Sequence, residues 1–74
     1  MDTSVRELDV VALLEDIPSE KLVRGDVGTI VDAPGNGFYL VEFADRLGRT
    51  YALPALRAEQ FLVLHHIERT EVAA

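Results

Sequence analysis

Cysteine is absent from this 74-residue chain. That excludes a disulfide framework, a thiolate nucleophile and a cysteine zinc site, and it allows a reducing compartment. Serine is scarce: Ser4 lies in the polar N-terminal stretch and Ser19 in a loop, and neither has a base nearby in the sequence. The two imidazoles, His65 and His66, are adjacent. On a strand, neighbouring side chains point to opposite faces, so the pair cannot jointly hold a metal. Residues Met1 to Glu7 lack the apolar core of a secretory signal, and no apolar run approaches the roughly 20 residues of a membrane span. These absences predict a cytoplasmic, non-enzymatic protein with no catalytic residue, no cofactor, no metal and no membrane partner.

Positive charge is also scarce. Thirteen acidic residues face seven basic ones, a net charge of −6. A field of that sign repels a phosphate backbone unless the cations gather on one face. What the chain has in quantity is apolar residues, 49% of the total. One domain of this length buries only about 60% of its unfolded surface, so apolar area is left over for a partner or a second copy.

Glycine and proline divide the apolar residues into short strands. Leu8 to Leu14 reads as a first strand, stopped by Glu15-Asp16-Ile17-Pro18, with Pro18 to Leu22 as a surface loop. Gly25-Asp26 reads as a turn, because glycine reaches positive φ without a Cβ clash and aspartate bonds to its own backbone there. Gly28, at the start of a second strand running to Ala33, marks a bulge or a close backbone approach. Pro34-Gly35-Asn36-Gly37 carries the Asn-Gly hairpin signature. A third strand spans Phe38 to Phe43, with Tyr39, Val41 and Phe43 towards the core and Phe38, Leu40 and Glu42 on the other side. A turn with Gly48 at positive φ leads to a fourth strand, Arg49 to Leu53, in which Tyr51 and Leu53 share a face. Ala55 to Gln60 suits a single helical or 3₁₀ turn. A last strand, Phe61 to Ile67, is apolar on both faces, which predicts a central or covered position. The expected fold is all-β, a small five-stranded SH3-like barrel over residues 8–67 with mobile tails at 1–7 and 68–74. An OB-fold needs longer strands and a helix between the third and fourth.

The order Leu8-Asp9-Val10-Val11-Ala12-Leu13, Asp16-Ile17-Pro18, Leu22 to Val31, Tyr39-Leu40-Val41-Glu42-Phe43 and Asp45 to Thr50 resembles the small bacterial proteins of domain-of-unknown-function family 4926. The resemblance covers Leu8 to Leu64 and implies an SH3-like barrel, with no activity, cofactor or catalytic residue attached. More distantly, Arg24-Gly25-Asp26-Val27-Gly28-Thr29-Ile30-Val31 is similar to KOW-type segments of ribosomal and transcription proteins, which are generally basic.

Three surface features remain. Glu15, Asp16, Glu20 and Asp26 gather around the first loop, with a spacing that fits no calcium-binding loop and reads as a solvated charge run. Arg24-Gly25-Asp26 spells an integrin-type tripeptide, and the expected cytoplasmic location makes coincidence the expected reading. Phe38, Leu40, Leu62 and Leu64 are the candidates for an apolar interface with an acidic rim, taking an unidentified protein or a second copy. The alternative is a KOW-like nucleic-acid site with Lys21, Arg24, Arg46, Arg49 and Arg57 in one stripe.

Overall fold

A computed structural model describes residues 5–65. Strands β1 (Val10–Leu13), β2 (Val27–Asp32), β3 (Tyr39–Ala44), β4 (Thr50–Ala52), β5 (Ala55–Leu56) and β6 (Phe61–Leu64) form one antiparallel sheet, with 3₁₀ turns at Pro18–Glu20 and Ala58–Gln60. The strand order is β4-β3-β2-β1-β6, and β5 pairs with β3 beside β4. The fold is all-β, with six strands among the described residues instead of five. The additional strand is β5, which the sequence assigns to a helical turn. It forms because Leu40 and Tyr39 offer partners to Ala55 and Leu56, a distant pairing that leaves no local periodicity.

Alternation along β3 places Val41 and Phe43 in the core, with Tyr39 half-buried on the same side. Val11 and Leu13 from β1, Ile30 from β2, Ala52, Leu56 and Phe61 complete the strand contribution. Leu22 joins them from the first loop, at 1% exposure, so that loop is not wholly a surface feature. An isolated bridge between Ile17 and Leu22 draws it inward, and Lys21 adopts a left-handed conformation to make the turn. Val5, in the stretch expected as a mobile tail, packs partly against the core, and the Leu8 N–H donates to the Ile30 carbonyl at 2.7 Å. Residues 1–4 and 66–74, with Ser4, His66, Ile67 and the C-terminal tail, lie outside the described residues.

The sheet curls. In strand order β3 and β6 are three spacings apart, about 14 Å on a flat sheet, yet the Tyr39 and Phe61 rings meet edge-to-face with centroids 5.7 Å apart. Register shifts between Ile30 and Asp32 and between Phe43 and Ala44 supply local bends. Gly28 is not a bulge: Val10↔Thr29, Val11↔Gly28 and Ala12↔Val27 pair in unbroken register. It is instead a point of close approach, where a Cβ would stand 2.8 Å from the Phe43 ring and 2.8 Å from the Glu42 carbonyl oxygen. The connection between β2 and β3 is longer than a two-residue Asn-Gly hairpin. Gly35 and Gly37 take positive φ, and Asn36 Oδ1 accepts the Phe38 N–H at 3.0 Å.

The turn from β3 to β4 is held by one carboxylate. Asp45 Oδ1 accepts the Leu47 N–H at 2.8 Å and the Arg49 N–H at 3.0 Å, while Oδ2 pairs with Arg49 Nε at 3.0 Å. Gly48 takes positive φ in the same turn. The Arg49 backbone N–H is the strongest influence on Asp45 and lowers its pKa; partial desolvation opposes it, and the Leu47 N–H and Arg49 guanidinium lower it further. Because the folded-state value lies below the unfolded one, the stabilisation is present above the ordinary aspartate range and is lost as pH falls through the folded value. An Asp45→Asn variant should therefore show a shallower loss of melting temperature on acidification than the parent. Parallel acid limbs in the two melting curves would contradict that role for Asp45.

Candidate interaction surface

Inward-facing positions of β1, β2 and β6 supply the core, so alternation sends Val10 and Ala12, Val27 and Thr29, and Leu62 and Leu64 to the outer face. Register brings these six side chains together. Val10 stands opposite both Thr29 and Leu64, and Ala12 stands opposite both Val27 and Leu62. Four of the six are large and apolar, yet remain exposed: Val10 at 39%, Val27 at 51%, Leu62 at 53% and Leu64 at 39%. Directly opposed side chains lie about 5 Å apart, so the four form one continuous patch.

Leu62 and Leu64 thus lie where the alternation predicts, but with Val10 and Val27 for neighbours. Leu40 is half-buried on β3, opposite Asp32 and Ala55, and Phe38 is exposed just ahead of that strand. β2 and β1 separate both from β6, so register does not bring the four predicted residues into one patch. Nor is β6 central; among the described residues it ends the sheet, with its two leucines exposed. Val10 and Val27 escape sequence reasoning for different reasons. Val10 sits in a run apolar at every position but one, where parity is hidden, and Val27 reads as part of the turn ahead of a strand beginning at Gly28.

Carboxylates frame this face. Glu15, Asp26 and Glu59 lie at the end of the patch where Ala12 meets Leu62, and Asp9 and Asp32 lie towards the other end. Glu42 stands opposite Thr29 on the β3 side and accepts a hydrogen bond from the Thr50 hydroxyl. The strands β1, β2 and β6 contain no lysine or arginine. Several framing acids also organise the chain. Asp26 Oδ2 accepts the Val23 N–H at 3.0 Å, Asp9 Oδ2 the Arg6 N–H at 2.9 Å, and Glu15 Oε2 the Gln60 amide at 3.1 Å. Glu59 pairs with Arg57 Nε at 2.9 Å. In the first loop Asp16 Oδ1 accepts the Arg24 N–H at 2.8 Å.

The five cations of the expected stripe lie on three connections instead of one strand face. Lys21 and Arg24 precede β2, Arg46 and Arg49 sit between β3 and β4, and Arg57 follows β5. Arg49 and Arg57 are each engaged with a neighbouring carboxylate. Among the described residues no group of three or more histidine, aspartate or glutamate side chains could hold a metal ion. No buried side-chain nitrogen or oxygen among them lacks a hydrogen-bond partner. Ser19 lies in the first 3₁₀ turn, and His65 is exposed at the end of β6. No helix among the described residues is long and apolar enough to cross a membrane.

The family model described as Domain of unknown function (DUF4926) matches residues 7–63. The chain belongs to this family. The match takes in β1 to β5, both 3₁₀ turns and β6 as far as Val63, so it contains Val10, Val27 and Leu62 and stops one position before Leu64. It is the family that the ordered segments from Leu8 onward resemble. Its description names no activity, ligand or partner. No curated protein and no solved structure matches the chain.

Proposed function

We propose that this chain is a non-enzymatic protein-interaction module whose contact surface is the outer face of β1, β2 and β6. One observation carries the reading: Val10, Val27, Leu62 and Leu64 are exposed on register-matched positions of three adjacent strands. Single exposed apolar residues are ordinary on any protein, whereas a contiguous patch inside a polar frame is what a partner covers. The patch contributes little to the core, because Val11, Leu13, Ile30 and Phe61 already bury the opposite face of the same strands. Each large apolar side chain fully removed from water by a partner would add about 1.5–3 kcal/mol to association.

Replacing both Leu62 and Leu64 by lysine separates binding from folding. These side chains are exposed, so stability should change by no more than about 0.5 kcal/mol per site. Capture of partners from cell extract by the tagged chain should fall to the level of an untagged control. Equal recovery of the same proteins by parent and variant would remove this face from the function.

A further inference from the structure

We infer that the partner of this surface is an extended cationic segment of another protein, added as a further strand to the edge of β6 that no described strand pairs. The inference rests on the interaction reading above and names its partner class. Two observations on different parts of the molecule converge on it.

The first is the contrast between the two ends of the sheet. On the β4–β5 side the strands are three and two residues long, Pro54 stands between them, and the register with β3 shifts at Phe43/Ala44. Short strands, proline and bulges are the devices that stop an edge from pairing. On the other side β6, though only four residues long, has neither proline nor a register shift. Its sequence, Phe-Leu-Val-Leu, is uncharged, and it pairs with β1 in unbroken register over Phe61 to Leu64. The direction of the free groups also follows. Leu13 bonds towards β2, through its N–H to Asp26 and its carbonyl to Gly25, whereas the Leu14 N–H bonds to Gln60. Alternation then turns Val10 and Ala12 towards β6, making Leu64 and Leu62 their hydrogen-bonded partners. The N–H and carbonyl of Val63 consequently point away from the sheet, where an incoming strand would meet them.

The second observation is charge. Asp9, Glu15, Asp26, Asp32 and Glu59 all lie at or just beyond the ends of β1, β2 and β6, and those strands hold no cation. One of the five, Glu59, already has a cationic partner in Arg57. A segment with an apolar centre and lysine or arginine at both ends would lie beside Leu62 and Leu64, with Glu15 and Glu59 nearest one end and Asp9 nearest the other. A second copy would instead bring one net charge of −6 onto another. Charge therefore favours the cationic segment.

The probe is a synthetic peptide with a Val-Ile-Val-Ile-Val centre and lysines at both ends, titrated into the full chain. It should bind, slow hydrogen exchange at the Val63 N–H, and weaken as salt rises. The same peptide with glutamates for lysines should bind at least about tenfold more weakly. Versions N-methylated on alternate central residues, in either phase, block one row of main-chain donors each, and one of the two should lose binding. The double Leu62→Lys, Leu64→Lys variant should weaken the parent peptide by a similar factor. Equal binding of the glutamate peptide, or of both N-methylated peptides, would overturn the inference. If no peptide binds and the chain sediments as a dimer that the lysine variant dissolves, the cationic-strand inference fails while the interaction reading stands. If no peptide binds, the chain is monomeric and the lysine variant captures the same proteins as the parent, both fail.

Discussion

Replacing Phe43 by alanine is expected to lower folding stability by about 3–5 kcal/mol. A domain of this length typically has only about 4–11 kcal/mol in total, so a large unfolded fraction should appear at ordinary temperature. Phe43 is fully buried and is the largest of the fully buried side chains. It sits on β3, the strand bonded to β2 on one side and to β4 and β5 on the other. Its truncation leaves a cavity that the neighbouring strands cannot close without breaking ladder hydrogen bonds. Leucine at the same site keeps much of the volume and should cost less, about 1.5 kcal/mol. Urea denaturation of the three proteins measures the series. A loss below about 1 kcal/mol for the alanine variant would mean that the core is organised around other residues.

The second large effect is expected at Gly28, where alanine should destabilise by about 2–3 kcal/mol. A glycine-to-alanine change at a compatible backbone position ordinarily stabilises by about 0.4–1 kcal/mol, because it reduces the freedom of the unfolded chain. Sterics reverse the sign here. The added Cβ would meet the Glu42 carbonyl oxygen at 2.8 Å and two Phe43 ring atoms at 2.8 and 2.9 Å. Gly25 provides the contrast: it has positive φ with nothing within 4 Å of an added Cβ, so alanine there costs backbone strain alone, about 1–2 kcal/mol. Combining Gly28→Ala with Phe43→Leu should cost less than the two single changes added together, since the smaller side chain relieves the ring contact. The Glu42 carbonyl contact would remain and keep the rescue partial. A Gly28→Ala protein melting at or above the parent temperature would show that β2 and β3 are not in close approach.

Gly28 also shows how far the sequence carries. A glycine among β-branched residues announces a special position, with two meanings open, a bulge or a close contact. Only the pairing of β2 with both neighbours decides between them, because the atoms that would clash come from β3, fifteen residues away for Phe43. The turn between β2 and β3 is legible, since turn residues act locally, whereas its full length and the extra residue at Val31, between Ile30 and Asp32, are not. β5 is not legible in the sequence, because two residues carry too short a pattern to display a period. The burial of Leu22 is not legible either, because it is imposed by the bridge from Ile17.

The candidate surface was half legible. Leu62 and Leu64 follow from period-two alternation within one strand, a property any strand has before it pairs. Their companions Val10 and Val27 depend on register between strands, and a shift by one residue would have turned those positions inward.

By itself, then, the sequence determined an all-β domain, its principal turns, the inward residues of β3 and membership of its family, because backbone preferences and alternation are local. Tertiary structure alone decided that β6 is an edge instead of a centre, that a sixth strand pairs with β3, and that the outer apolar residues of β1, β2 and β6 form one face within an acidic frame. Those outcomes depend on which strands pair and in what register, and that is set by the free energy of closing the whole core, to which residues far apart in the chain contribute together.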